Sequence, residues 1–479
     1  MLKGGNIVIG RVSEKSVIED CLRSNRAEFL VVYGRRRVGK TFLIKEYFHD
    51  TFSFYATGVS GTNTRTQLRA FAESLIMYGD AVKTVPKDWF EAFARLRSIL
   101  SSPQVTKEYE FGKMVVFLDE LPWMDTARSN FKSALDYFWN SWGSAQKNLL
   151  FIVCGSATSW IINNIVRDSA GFYNRITRQI HLMPFTLNEC EKLLVSNGMR
   201  MTRKQVIECY MIFGGIPYYL NYLKPQLSLA QNVELLFFRE NSPLRYEFDQ
   251  LFSSLFKKAD HHIEIIEELS KVRNGLTRSE LIRTGKIVEG KELTKCLTEL
   301  EQCGFIRKYY DFTRSENGGI YQLIDSLTLF CLTFMQNRKI ESWIEFLNSP
   351  AYYNWCGLAF ERVCLQHILQ IKKELGISGI SSSEFSWRSK NTTPGAQIDL
   401  LIDRKDDVIN VWEMKFSAEP FTIDATYEKA LIHKMEAFRS ETKTRKALLL
   451  TMISLNGLSE NQYKNTVANV LTGDDLFTE

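Results

Sequence analysis

The stretch Gly34-Arg35-Arg36-Arg37-Val38-Gly39-Lys40-Thr41 constrains this chain more than any other, because it fits the pattern G-x-x-x-x-G-K-[ST]. It follows the run Glu28 to Tyr33, whose core FLVVY predicts a buried strand. It opens a segment with apolar residues at helical spacing: Phe42, Leu43, Tyr47 and Phe48. Strand, glycine loop and helix in that order suit a phosphate cradle. The glycines let backbone N–H groups turn inward, Lys40 reaches the β- and γ-phosphates, and Thr41 offers a hydroxyl to Mg²⁺. The pattern therefore predicts an α/β sheet that binds a nucleoside triphosphate.

Such a cradle works with carboxylates at the end of a second strand. Met114-Val115-Val116-Phe117-Leu118-Asp119-Glu120 supplies five apolar residues and then two acids. Asp119 is expected to hold Mg²⁺ through water, and Glu120 to act as general base on the attacking water. A further strand candidate, 52–57, lies between the two motifs in sequence. An inserted strand and a glutamate after the aspartate mark the ATPase branch of this fold rather than the kinase–GTPase branch. The absence of an Asn-Lys-x-Asp motif also favours ATP. A fourth strand, 149–154, ends in Gly155-Ser156; Ser156 either senses the γ-phosphate and positions water or simply closes a turn. In the segment 171–178, Arg175 is a candidate arginine finger for a neighbouring subunit or a closed domain, and surface salt-bridging is the competing reading for it and for Arg178. The helical stretch around Gly214-Gly215-Ile216-Pro217-Tyr218-Tyr219 breaks at a defined bend and reads as a lid.

Gly10-Arg11 before a helix, the loop YGRRRVGKT, the LDE strand end, the Gly-Ser after the fourth strand and GGIPYYL together resemble the archaeal-type ATPase family, P-loop proteins related to AAA+ and STAND ATPases. The resemblance covers about the first 230 residues. It implies ATP binding, slow hydrolysis and nucleotide-driven switching. Arg35, Arg36 and Arg37 match the family's arginine-rich loop, with phosphate, adenine and partner contacts all open.

Residues 255–330 predict three helices and a two-stranded wing, a winged helix-turn-helix. Helices are expected over 262–271, from Thr277 with Glu280 completing a capping box, and over Lys291–Gln302. A hairpin is expected from 305–310 and 319–323. DNA binding would use Lys291, Thr294, Lys295 and Thr298. Residues 271–314 carry ten basic against six acidic side chains, yet the third helix sets two lysines against Glu292, Glu299 and Glu301. That balance favours an interdomain or regulatory module over major-groove reading.

In residues 345–479, two apolar strands contain charges that strands usually avoid. One is Gln397-Ile398-Asp399-Leu400-Leu401-Ile402, and the other is Val408-Ile409-Asn410-Val411-Trp412-Glu413-Met414-Lys415. Alternation puts Glu413 and Lys415 on one face, where an aspartate of the adjacent strand can meet them. Two carboxylates beside a lysine suit a divalent metal and phosphodiester hydrolysis. An inward Glu361 on a preceding helix can add a ligand; an internal ion pair in a non-catalytic fold is the alternative. The D…E-x-K spacing, with a helix over 360–371, a helix over 427–439 and the strand 447–451, resembles the PD-(D/E)XK nuclease superfamily. The resemblance implies Asp399 and Glu413 as ligands of Mg²⁺ or Mn²⁺, Lys415 for the attacking water and Glu361 as accessory. Gln397 departs from the pattern, since many relatives with an E-x-D variant carry glutamate there.

Bulk properties set the frame. At 479 residues the chain has room for roughly three domains. A net charge of +5 is too weak by itself to imply nucleic acid. Nine cysteines form no C-x-x-C pair or Cys/His cluster, so they read as small buried hydrophobes in a reducing cytoplasm. The N-terminal apolar run is too short for a signal peptide, and no apolar run approaches the ~20 residues that cross a bilayer. The expected division is 1–195 ATPase core, 196–250 helical lid, 255–330 winged helix-turn-helix and 345–479 restriction-endonuclease-like α/β domain. The expected partners are ATP, DNA and, if Arg175 is a finger, a second copy of the chain.

Overall fold

Strand β1 (Glu28–Tyr33) is buried at every position, as an unbroken apolar run predicts for a strand covered on both faces. The computed structural model describes residues 8–102, 112–167, 175–256, 258–285, 287–313, 318–336, 340–389 and 393–479. These divide into two compact units, Met1–Met183 and Pro184–Glu479. The part of the sequence motif at 171–174 lies outside the described residues.

The first unit is built on a parallel sheet of β2 (Phe54–Thr57), β3 (Met114–Asp119), β4 (Leu149–Gly155), β1 and β5 (Arg178–His181), in the order β2-β3-β4-β1-β5. The strand that intervenes in sequence, β2, sits at the sheet edge. The strand that separates the loop-bearing β1 from the acidic β3 is β4. Aromatic packing fills the sheet's flank: Phe29 meets Phe151 edge-on at 5.2 Å, and Trp89 meets Phe131 at 4.8 Å. The strands β1 and β4 supply the first pair, and the helices Trp89–Leu100 and Phe131–Ser141 the second.

The second unit begins with the helices Leu187–Ser196 and Arg203–Phe213, each started by a complete capping box, Thr186 with Glu189 and Thr202 with Gln205. Three further helices follow: Ala259–Ser270, Arg278–Arg283 and Lys291–Gln302. The expected Thr277–Glu280 capping box is present. Leu293, Cys296, Leu297 and Leu300 are buried along one face of the third helix. The hairpin of β7 (Ile306–Tyr309) and β8 (Ile320–Leu323) gains a two-residue strand, β6 (Leu276–Thr277), in the order β6-β8-β7. Two residues are too short to leave a strand signature in sequence.

The carboxyl-terminal sheet runs β13-β12-β11-β10-β9, from β9 (Ser382–Arg388), β10 (Gln397–Arg404), β11 (Val408–Lys415), β12 (Ala447–Ser454) and β13 (Asn469–Thr472). β9, β10 and β11 form an antiparallel meander, while β12 and β13 run parallel to β11. The helix Ala425–Thr442 makes the crossover that a parallel neighbour requires. The helix expected over 360–371 is two helices, Pro350–Gln366 and Ile368–Glu374. The break falls at His367, whose Nδ1 lies 2.8 Å from the Val363 carbonyl and whose Nε2 accepts from the Leu187 amide at 3.0 Å. That contact ties the helix start at Leu187 to the helix Pro350–Gln366. All nine cysteines are buried and free.

Candidate functional site

The carboxyl ends of β1, β3 and β4 lie side by side, since Tyr33 is level with Gly155 and Leu118 with Val153. Ligands of open α/β sheets bind along this edge. Gly34 leaves β1 at φ 151°, and a Cβ there would come within 2.3 Å of the Leu182 carbonyl oxygen, so only glycine fits. The loop closes on Lys40, whose Nζ donates to the Arg35 carbonyl at 2.9 Å. Gly39 precedes the first turn of the helix Lys40–Tyr47, whose free N–H groups and dipole favour an anion. Arg35 and Val38 are buried, Arg36 is exposed and Arg37 is half-buried. Arg11 also serves the loop: its Nη2 donates to the Val38 carbonyl at 3.2 Å. In the sequence Arg11 stands out only through the family resemblance; its backbone is left-handed, at φ 55°.

Thr41 Oγ1 donates to Asp119 Oδ2 at 2.8 Å, and the Glu120 amide donates to Asp119 Oδ1 at 2.9 Å. Asp119 is 4% exposed. Burial raises its pKa, and neighbouring Glu120 adds to the rise against the hydrogen bond from Thr41. Such a carboxylate gains from a cation that replaces lost hydration. A hydroxyl and a carboxylate are hard oxygen donors of the kind Mg²⁺ takes, so these residues fit that ion. Glu120 has φ 45°, and its Oε2 accepts from Ser156 Oγ at 2.9 Å. Asp119, Glu120, Thr41 and Ser156 thus lie together at this edge of the sheet.

Arg175 does not join them. It is exposed just before β5, where the next residues run beside the start of β1: Thr177 bonds Phe29. The phosphate loop leaves the other end of β1, so the length of a six-residue strand, about 20 Å, separates Arg175 from its own loop.

The second carboxylate group lies in Pro184–Glu479. Glu361, 1% exposed, binds Arg273 Nε at 2.7 Å and Arg362 Nη1 at 2.7 Å. Asp399 Oδ2 stands 3.6 Å from Arg273 Nη2, and its Oδ1 accepts from Gln397 Nε2 at 2.6 Å. Glu413 binds Lys434 at 2.6 Å, Lys415 at 3.1 Å and the Tyr427 hydroxyl at 2.6 Å. Burial pushes Glu413 up, but Lys434 and Lys415 outweigh it and hold the carboxyl below its ordinary range. Burial raises Glu361 despite its two arginines. Among the described residues no group of three or more His, Cys, Asp or Glu side chains is placed to hold a metal ion. Arginine and lysine nitrogens thus stand against Glu361, Asp399 and Glu413, the three carboxylates expected from the sequence to share a metal. Lys434 and Tyr427 were missed, although their seven-residue spacing on one helix was a usable signal. Arg273 had none, being far from the motif in sequence.

On the helix Lys291–Gln302, Lys291, Thr294, Lys295 and Thr298 are exposed as expected. Arg278 already binds Thr294 at 2.8 Å, and Lys295 faces Glu292 at 3.8 Å. Among the described residues no helix is long and apolar enough to cross a membrane.

Comparison with known proteins adds the following. The chain is 24% identical over 371 residues to an uncharacterized protein of Methanocaldococcus jannaschii, covering 76% of this chain and 78% of the other. Solved structures similar to it include the Walker-type ATPase PABY2304 of Pyrococcus abyssi, at 16% identity and TM-score 0.49 over 68% of this chain and 96% of that one. The Aeropyrum pernix ORC2 protein in ADPNP–ADP complexes follows at 14% identity and TM-score 0.44, over 70% and 97%. Residues 9–223 match the family described as an ATPase domain predominantly from Archaea. The phosphate loop and its acidic strand both lie inside that span.

Proposed function

We propose that this protein binds ATP with Mg²⁺ at the edge formed by β1, β3 and β4, hydrolyses it, and uses the nucleotide state to control a metal-dependent, nuclease-like site acting on DNA. The observation that carries the first half is the pairing of Thr41 with Asp119 beside the pairing of Ser156 with Glu120. Gly34 through Thr41 cradle the phosphates, with Lys40 leaving the Arg35 carbonyl for the β/γ-phosphates. Thr41 and Asp119 hold Mg²⁺, which neutralises charge on the transferring phosphoryl group. Glu120 takes the proton of the attacking water, and Ser156 orients the Glu120 carboxylate. Arg175 acts, if at all, on the loop of a second copy.

Residues 255–330 are read as a winged helix-turn-helix with a regulatory role, because three glutamates outnumber the two lysines of its third helix and Lys295 faces Glu292 at 3.8 Å. Residues 345–479 are read as PD-(D/E)XK-like from the helix, meander, helix, strand order. A second reading, a nucleotide-dependent switch with a non-catalytic carboxyl-terminal scaffold, draws support from the arginine and lysine partners of Glu361, Asp399 and Glu413.

Calorimetric titration of ATP with Mg²⁺ tests the first half: binding heat in the natural protein, and none in Lys40→Ala. No heat in the natural protein would overturn it. Incubation of plasmid and linear DNA with Mn²⁺ and ATP tests the second half. Cutting that disappears in Glu413→Ala and Lys415→Ala supports the nuclease, whereas intact DNA throughout supports the switch.

A further inference from the structure

We propose that Arg11 is a positioning residue for the phosphate loop: its guanidinium grips the Val38 carbonyl and so keeps the Gly39 amide turned into the cradle before nucleotide arrives. The inference deepens the ATP-binding reading above and rests on it.

Arginine is a poor local choice at position 11. Gly10 and Arg11 are consecutive left-handed residues, at φ 62° and 55°, and only the first is a glycine. Arg11 is also the N-cap of the helix Val12–Arg23, where its side chain makes no capping hydrogen bond. Serine, threonine, aspartate or asparagine would start that helix better. The side chain is nevertheless buried, at 4% exposure. Backbone strain of this kind persists only where the surrounding structure enforces it, and it gathers at functional sites. What accompanies it here is a long-range contact: Nη2 donates to the Val38 carbonyl at 3.2 Å, across 27 positions of sequence. Glu14 holds the other arm, its Oε1 lying 3.4 Å from Nη1, and Ser13 Oγ donates to the second Glu14 oxygen at 2.8 Å.

The gripped carbonyl lies in the part of the loop that meets phosphate. Arg37 at φ 73° and Gly39 at φ 92° are left-handed, and Val38 between them is not. Alternating hands bring successive amides to one concave side, the geometry of an anion nest. A trans peptide sends its carbonyl and the following amide in opposite directions. With the Val38 oxygen drawn to Arg11, the Gly39 N–H turns away from Arg11 and joins the free amides that open the helix Lys40–Tyr47. Val38 is anchored by its own burial, at 1% exposure, whereas a Cβ on Gly39 would meet nothing within 4 Å. A peptide with open space beside it can rotate, and an inward carbonyl would repel phosphate. Arg11 opposes that rotation, so the ligand does not have to order the loop as it binds.

The test is calorimetry of the full chain with ATP and, separately, with inorganic tripolyphosphate, each with Mg²⁺. The natural protein should bind both. Arg11→Ala should weaken both about tenfold, the scale of a lost charge-assisted hydrogen bond. If Arg11→Ala does not fold, Arg11→Gln takes its place, since it fills more of the space but is shorter than arginine. Arg11→Lys, which keeps a cationic donor on a long stem, should recover part of the loss. Hydrogen exchange of residues 36–41 in nucleotide-free protein should quicken in the variants that lose affinity. Natural ATP affinity or natural exchange in the folded Ala or Gln variant would overturn the clamp. So would weakened ATP binding with tripolyphosphate binding intact, which would put Arg11 against the base or ribose. Tripolyphosphate that fails to bind the natural protein would overturn it too, because a loop aimed in advance must hold phosphates by itself. No heat from ATP in the natural protein is a different failure, that of the ATP-binding reading, and the clamp falls with it.

Discussion

The carboxylates at the end of β3 and those gathered from β10, β11 and the helix Pro350–Gln366 are satisfied by different chemistry. Asp119 and Glu120 are met by hydroxyls and backbone amides: Thr41, Ser156 and the Glu120 N–H. Glu361, Asp399 and Glu413 are met by arginine and lysine nitrogens. Neutral donors orient a carboxylate without cancelling its charge, so the site remains attractive to a cation. Cationic partners cancel the charge in advance, and a metal must then displace them. The first arrangement is poised, and the second is self-satisfied.

The largest expected effect probes the poised site. Glu120→Gln keeps an oxygen for the Ser156 hydroxyl but removes the base, so single-turnover ATP hydrolysis should fall about 10²–10³-fold. ATP affinity by calorimetry should stay within about threefold. Normal hydrolysis by this variant would remove the base assignment and with it the contrast between the two sites.

Acid acts on single buried groups in each unit. Burial pushes His367 down to about 4 from an ordinary 6.5, so stability is lost as pH falls from 6.5 toward 4, by about 3 kcal/mol. Asp119, raised by burial, works in reverse: its cost is relieved as pH falls into the carboxylate range, while burial also lowers His181 in the same unit. His367→Gln should therefore flatten the acid loss of stability of Pro184–Glu479 between pH 7 and pH 4 in urea titration; an unchanged slope would remove His367 as its cause.

Smaller effects come from neutralising single carboxylates. Glu413→Gln strands Lys434 and Lys415 beside a neutral amide and should destabilise its unit by about 1–3 kcal/mol in urea titration. Asp119→Asn removes a buried charge with no cationic partner and should leave the nucleotide-free protein equally stable or more so by about 1 kcal/mol. If both changes cost the same, the distinction between poised and self-satisfied sites fails.

Legibility in the sequence divided along the same line. The phosphate loop, β3 and β4 were readable because each functional group is adjacent to the strand that aims it, and apolar runs announce the strands. What could not be read was order in space. β2 precedes β3 in the chain yet lies at the edge, since a parallel sheet leaves neighbour choice to crossovers rather than to composition. β10, β11, β12 and the helix Ala425–Thr442 were also legible, as was the shared face of Glu413 and Lys415, whereas β9, β13 and the helix break at His367 were not. The partners were not. Arg273 lies far from Glu361 in sequence, and no local period reports that a turn of one segment will reach a carboxylate of another. Which end of the sheet Arg175 occupies was not legible either, since it depends on the parallel register of β5 with β1.

The finest test of the comparison is Ser156→Ala. The hydroxyl donates to Glu120 at 2.9 Å, whereas the Ser156 amide contributes only a longer bond at 3.4 Å. Removing the hydroxyl leaves the general base present, charged and at the same backbone position, but less firmly aimed. A lost neutral hydrogen bond is worth about 1 kcal/mol, so turnover should fall only about three- to tenfold while ATP affinity holds. An effect as large as that of Glu120→Gln would mean that Ser156 itself contacts the phosphoryl group, giving it the sensing role. No effect would mean that the strand end alone orients Glu120, leaving the bond incidental to catalysis.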